Sequence, residues 1–190
     1  MKLLEDKIKK DGKILAGDII KVDSFLNHQL DINFLNKLAE DIASHFKEKK
    51  ITKILTIEAS GIALATVLSA HIAYIPVVFC KKQKTLNIGD NIWQSHVKSF
   101  TTKKEYKITV SKEFLNENDE IIIIDDFLSE GNALKGMIEL ANMAGAKIKG
   151  VSVAIEKSYL GGGDLIRSMG YNLYSQAIIK SIDKGTFEFK

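Results

Sequence analysis

The chain is poor in the residues that staple or interrupt a fold: its 190 residues include one cysteine, one proline and one tryptophan. A single cysteine, Cys80, excludes an internal disulfide framework, and no Cys/His spacing has the pattern of a zinc site. Cys80 ends the apolar run Pro76–Phe79 and reads as a small hydrophobe beside a strand. No apolar stretch approaches the roughly 20 residues of a membrane-spanning helix. The first residues, MKLLEDKIKKDGK, mix acids and bases at helical spacing and lack the apolar core of a secretory signal. The cytoplasm is therefore the expected location. Internal repeats, low-complexity tracts and a basic arm are also absent. The net charge is +3, with lysines dispersed among acids. That pattern excludes a nucleic-acid or membrane surface and leaves local positive charge for a small anionic ligand.

What is present fits one globular domain spanning residues 1–190. Hydrophobic residues make up 45% and charged residues 27% of the chain, and the length supports a sizeable core. Leu3, Leu4 and Ile8 predict a short amphipathic opening helix. Asp31 predicts the cap of a stronger one, with Phe34, Leu35, Leu38, Ile42 and Phe46 on one face. Strands are expected at Lys53–Ile57, Pro76–Cys80, Tyr106–Val110, Ile121–Ile124 and Ile148–Ile155. Helices are expected from Ile62 to about Ala70, after the Ile121 strand (Leu134, Met137, Ile138, Ala141, with Gly145 as the stop), and between Gly163 and Gly170. Alternation of this kind predicts an α/β fold, a mostly parallel sheet with helices on both faces. Residues Leu15–Asn27 and Tyr171–Phe189 fall outside the alternation and could pair as a small cap over the carboxyl ends of the strands. Thr85–Lys103 lacks periodicity, which in a compact domain suggests a lid or disorder.

The segment Ile121–Ala133, IIIIDDFLSEGNA, carries the chemistry. A buried strand over Ile121–Ile124 would deliver Asp125 and Asp126 at its carboxyl end, where open α/β sheets bind ligands. Phe127–Asn132 would then form a tight turn whose amides face an anion at a helix start. Two carboxylates beside an anion cradle suit a ligand with vicinal hydroxyls and a phosphate, such as ribose 5-phosphate. Taken alone, an Asp-Asp pair is most simply a strand ending in a polar turn; the whole pattern favours the ligand. Glu58-Ala59-Ser60-Gly61 also lies between a strand and a helix and offers a second set of amides. Lys81, Lys82 and Lys84 follow the Pro76 strand; such a run is ordinary surface by itself, and beside an anion site it can neutralise a diphosphate.

The Ile121–Ala133 run resembles the phosphoribosyl-pyrophosphate (PRPP) motif of type I phosphoribosyltransferases. The resemblance implies that fold, with a small hood from about residues 12–30 and 171–189 and a flexible lid over about 83–104. It places Asp125 and Asp126 on the ribose hydroxyls as the catalytic pair. Ser129, Glu130, Gly131, Asn132 and Ala133 fall on the 5′-phosphate loop. Ala59, Ser60 and Gly61, with Lys81, Lys82 and Lys84, fall on the pyrophosphate side. Two departures stand out. Glu130 occupies a place where the family often has Thr, so its carboxylate must turn away and leave binding to backbone amides. Ser60 occupies a place where adenine-specific relatives often have Arg.

The phrases VDSFLNHQ, TIEASGIA and IIIDDFLSEG, and Glu156-Lys157-Ser158, extend the likeness to bacterial members of the family that use xanthine. There the resemblance places Ile20 and Asn27 in the hood against the purine and Lys157 at the end of the Ile148 strand. Xanthine carries oxygens at C2 and C6, so amide and ammonium donors suit it. Phe127 is the expected stacking face, with a plain core role as its alternative. The implied reaction moves the phosphoribosyl group of PRPP to xanthine, with Mg²⁺ carried mainly on PRPP and no protein metal ligand assigned. A homodimer is implied as well. Guanine, hypoxanthine or adenine as the base, an unrelated α/β protein, and a non-catalytic PRPP or purine sensor stay open. Against the sensor, nothing before Asp31 is long or basic enough for a winged helix.

Overall fold

The computed structural model describes residues 1–15, 19–82, 91–98, 105–183 and 185–190. In chain order these form α1 (Lys2–Asp11), β1 (Lys13–Leu15), β2 (Ile19–Lys21), a π-helical turn (Asp23–Asn27), α2 (Ile32–His45), β3 (Lys53–Ile57), α3 (Ser60–His71) and β4 (Val77–Cys80). They continue with β5 (Ile92–Lys98), β6 (Glu105–Ser111), β7 (Glu120–Leu128), α4 (Asn132–Met143), β8 (Lys147–Lys157), a 3₁₀ turn (Ser158–Leu160), α5 (Gly162–Ser168), β9 (Leu173–Asp183) and β10 (Thr186–Phe189).

The central sheet has the order β10-β9-β8-β7-β3-β4. Its neighbours pair in parallel except β10, which folds back antiparallel on β9. Parallel strands need crossovers, and helices in those crossovers cover both faces. A strand in this position is buried twice over, which explains the unbroken apolar run in β7. Ile121, Ile122, Ile123 and Ile124 are all fully buried. Alternate residues serve opposite faces: Ile122 and Ile124 join a core with Phe34, Leu35, Leu38, Leu64 and Leu68. Ile121 and Ile123 join another with Leu134, Met137, Ile138 and Leu140. Helix α2 starts as its sequence predicts, the Asp31 carboxylate accepting from Phe34 N at 3.0 Å. Gly145, at φ +72°, turns the chain after α4 in the left-handed region that glycine favours.

Three expectations are corrected. Tyr171–Phe189 does not pair with Leu15–Asn27 as a cap: β9 is a full member of the parallel sheet against β8, and β1 pairs only with β2. Residues 92–98, placed in the lid on sequence, form a strand antiparallel to β6, while residues 83–90 and 99–104 of that lid lie outside the described residues. Tyr106–Val110 is accordingly part of a separate two-stranded ribbon rather than of the main sheet. Reciprocal backbone bonds between Lys81 and Thr109, 2.9 Å each, join the ribbon to the end of β4. The ribbon seats on α4 at Gly136, where a Cβ would lie 2.5 Å from Val97 Cγ2 and 2.9 Å from Ile108 Cδ1. Among the described residues no helix is long and apolar enough to cross a membrane.

Because Ile122 and Ile123 fill opposite faces of one strand, Ile122→Ala and Ile123→Ala should each cost about 2–5 kcal/mol in urea unfolding. Leu3→Ala, on an exposed position of α1, should cost less than about 0.5 kcal/mol. A loss below 1 kcal/mol at both isoleucines would contradict the two-faced core.

Candidate active site

β7 runs to Leu128, so Asp125 and Asp126 lie within the strand rather than beyond it. Strand geometry sends adjacent side chains to opposite sides. Asp126 Oδ2 accepts from Asn27 Nδ2 at 3.4 Å. Asp125 is directed toward Gly61, whose Cβ, if it had one, would sit 3.2 Å from Asp125 Oδ1 and 2.3 Å from Thr56 Oγ1. Both carboxylates are buried, and Asp125 Oδ1 accepts from Asp126 N at 2.9 Å. Burial, reinforced by the neighbouring Asp126 charge, holds the Asp125 carboxyl well above its ordinary value, with Lys82 pulling weakly the other way. Burial and then Asp125 likewise raise the Tyr106 phenol. The Cys80 thiol is fully buried and pushed far upward, first by burial and then by Asp125 and Glu58. It behaves as an inert apolar group, as the sequence suggested.

After β7 the chain turns through Ser129 and Glu130 to Gly131, which takes φ +85° and caps α4. The first amides of α4 and its dipole lie at this turn, the kind of place where anions bind. The cradle is narrower than the sequence suggested, because Phe127 and Leu128 still belong to the strand. Glu130 Oε2 accepts from Asn132 Nδ2 at 3.0 Å, so its carboxylate is drawn onto the loop's own amide, although Glu130 still borders the cavity.

A cavity of about 300 Å³ opens over this turn. Ser129, Glu130, Gly131, Asn132 and Ala133 of the turn line it, as do Asp126 and Phe127 of β7, Ile20 of β2, Asn27 of the π-helical turn and Lys157 of β8. All four residues expected at the purine thus share one cavity with the expected phosphate loop. Lys157 is buried and its Nζ lies 5.6 Å from the Phe127 ring centroid, a cation–π distance. Ile19 and Tyr106 also line the cavity, and the sequence reading missed both.

Ala59, Ser60, Gly61, Lys81 and Lys82 do not line that cavity; they gather on the Asp125 side. The Glu58–Ala59 peptide is cis, and α3 starts at Ser60, two residues before the position expected from sequence. Glu58 Oε1 accepts from Lys82 N at 2.5 Å and Glu58 N donates to Cys80 O at 3.1 Å, which binds the loops after β3 and β4 together. Tyr106 links the two sides: it borders the cavity while Lys82 Nζ lies 5.8 Å from its ring centroid. Lys84 lies outside the described residues.

A second layer was also missed. Glu156, next to Lys157, is buried and paired with Arg167 and Ser175. Burial works to raise its carboxyl, but the bonds from Arg167 and Ser175 outweigh it and the net shift is downward. The glycine run 161–163 was the available signal, since consecutive glycines often mark close backbone approach.

The raised Asp125 carboxyl sets a sign for stability. Above its ordinary range the folded chain holds the proton longer than the unfolded chain, so stability falls as pH rises through that window. Asp125→Asn cannot ionise and keeps an acceptor for Asp126 N. In the ligand-free protein it should raise the thermal midpoint at pH 8, with the gap closing toward pH 4. Scanning calorimetry from pH 4 to 8 checks this, and a midpoint lowered at pH 8 would contradict it.

Residues 21–160 match the family model for a phosphoribosyl transferase domain. The chain is 47% identical over 192 aligned residues to the xanthine phosphoribosyltransferase of Bifidobacterium adolescentis, covering 100% of both chains. It is 46% identical over 190 residues to xanthine phosphoribosyltransferase 1 of Clostridium perfringens, again covering 100% of both. Among solved structures, the APRTase of Giardia lamblia complexed with 9-deazaadenine superposes with a TM-score of 0.77 at 22% identity, covering 92% of this chain and 96% of that one. The adenine phosphoribosyltransferase of Rhodothermus marinus gives 0.75 at 17%, covering 94% and 100%. At those identities the structures speak to the fold alone.

Proposed function

Because the chain belongs to the phosphoribosyltransferase family, we propose that it transfers the 5-phosphoribosyl group of PRPP to N9 of xanthine, giving xanthosine 5′-phosphate (XMP) and pyrophosphate in purine salvage. The observation that carries this reading is the single cavity that Lys157, Asn27, Phe127 and Asp126 line together with the Ser129–Ala133 loop.

The 5′-phosphate rests on the loop amides and the start of α4, and the ribose hydroxyls donate to Asp125 and Asp126. Lys157 and Asn27 offer donors to the purine oxygens, and Phe127 and Ile20 border its ring. Pyrophosphate leaves on the Asp125 side, toward Ser60, Gly61, Lys81 and Lys82. The C1′–O bond breaks with its electron pair going to the pyrophosphate, C1′–N9 forms, and the N9 proton passes to Asp126, the carboxylate lining the cavity, or to water. Positioning and charge stabilisation supply most of the rate. The Asn27–Asp126 bond couples the base end to the ribose.

Asp125 and Asp126 offer two hard oxygen donors, and among the described residues no cluster of three or more acidic, His or Cys ligands forms. Two hard carboxylates fit Mg²⁺ that arrives on PRPP oxygens, where it would supply positive charge to the pyrophosphate. EDTA should therefore abolish turnover and leave the thermal midpoint of the ligand-free protein within about 1 °C. A large EDTA-induced fall would point to a resident structural metal.

The same reading takes the enzyme to be a cytoplasmic homodimer. An apolar groove of about 530 Å³ beside β4, bordered by Phe79, Phe114 and Lys81, is a surface available to a second copy.

Incubation with PRPP, Mg²⁺ and each purine in turn tests the assignment. Xanthine should give the highest kcat/KM, and Asp126→Asn should lower kcat on the order of 10²–10³-fold while remaining folded. Nucleotide from no base would remove the enzyme reading, and preference for guanine or hypoxanthine would remove xanthine.

A further inference from the structure

Behind the cavity wall lies an ion pair that the binding roles above leave unused. Glu156 is 1% exposed. Arg167 reaches it through two bonds, Nη1 to Oε1 at 3.0 Å and Nη2 to Oε2 at 2.7 Å, and Ser175 Oγ donates to Oε2 at 2.5 Å. Well-packed apolar groups often serve stability as well as a buried carboxylate such as Glu156, so stability alone does not account for its place.

Its place is against the phosphate loop. Gly162 donates its N–H to Ser129 O at 3.0 Å. A Cβ on Gly162 would fall 2.2 Å from Ser129 O, 2.6 Å from Gly131 N and 2.7 Å from Glu130 C. On the next residue, Gly163, a Cβ would fall 2.0 Å from Glu156 Oε1 and 2.6 Å from Arg167 Nη1. Successive glycines at the start of α5 therefore press one on the loop backbone and the other on the ion pair. Glu156 is also the register partner of Leu128, the residue before the loop, and the chain neighbour of Lys157. Peptide planarity gives the contact a direction. With the Ser129 carbonyl held by Gly162, the N–H of Glu130 on the same trans peptide points away from α5.

We propose that Arg167, Glu156 and Gly162 are positioning residues that fix the amides of the Ser129–Ala133 loop for the 5′-phosphate of the substrate. Arg167 and Ser175 hold the Glu156 carboxylate between β8, β9 and α5. That carboxylate seats the glycine turn, and the turn sets the loop. The inference rests on the reading of this loop as the 5′-phosphate site. It also explains how a loop carrying Glu130 binds an anion: the amides are aimed from behind, so no loop side chain has to do it.

The test compares XMP with xanthosine, which differ only in the 5′-phosphate, by titration calorimetry on the whole protein. The proteins are the wild type, Gly162→Ala and Arg167→Lys, with thermal midpoints measured alongside. Lysine keeps the charge of Arg167 and loses its two-pronged geometry. The wild type should bind XMP more tightly than xanthosine. In both variants XMP affinity should fall on the order of tenfold to a hundredfold, as small misplacements do, with xanthosine affinity changed less than about twofold. The KM for PRPP should rise in step, and the KM for xanthine should stay near its wild-type value. Should Gly162→Ala fail to fold, Arg167→Lys, which adds no bulk, carries the same measurement. A lowered midpoint with an unchanged XMP-to-xanthosine ratio would make the pair purely structural and overturn the proposal. A wild type that binds both alike would instead remove the phosphate-loop reading, and the clamp with it.

Discussion

A strand buried on both faces can show polar groups only where it emerges, and β7 is built around that constraint. Its four isoleucines divide between two cores, and the first ionisable side chains after them are Asp125 and Asp126. Because the two are adjacent in a strand, their side chains leave it in different directions. Asp126 meets Asn27 and the cavity, and Asp125 meets Gly61 and the neighbourhood of Lys82. On the proposed reading, one dipeptide holds the ribose between the base end and the pyrophosphate side. The remaining site elements sit according to which carboxylate they serve.

Backbone contacts dominate around this pair, and glycines mark them. Gly61 lets the first turn of α3 approach Thr56 and Asp125, Gly131 takes the left-handed turn into α4, and Gly162 touches the loop from behind. A cradle made of amides is indifferent to much of its own side-chain sequence. That indifference is why Glu130 is tolerated, with its carboxylate drawn onto Asn132. The cost moves to the supporting shell, where Glu156 is buried and bonded by Arg167 to hold a turn in place.

The legible parts of the molecule were those determined locally. The isoleucine run, the Asp31 cap and the strand–carboxylate–turn order each follow from neighbouring residues. Grouping Asn27 and Lys157 with the loop came from resemblance, and the cavity unites them. The parts not legible depend on distant partners. In β9, Gln176 is buried because Leu38 O and Asp41 accept its amide, so a strand with a polar residue in its middle looked like a cap. In β5, Ser95 is buried through its bond to Glu139 on α4, so a core-facing strand looked aperiodic. Arg167 and Glu156 are eleven residues apart in sequence, a spacing that no helical or strand period makes adjacent.

The same burial that displays the carboxylates also leaves the ligand-free enzyme in an unfavourable electrostatic state. Asp125 is removed from water beside a second carboxylate, and its proton is held above the usual range. A substrate that brings hydroxyl donors, together with a cation on its phosphates, reverses both influences. On the proposed reading, binding should therefore favour the ionised form and expel a proton, so that part of the binding energy is used to charge Asp125. The strain is local to a site whose walls are fixed by two cores, which allows it to persist without unfolding the chain. Site and scaffold are in this sense opposed: the isoleucines of β7 hold the strand in place, and the carboxylates that follow gain their function from being held where water would not leave them.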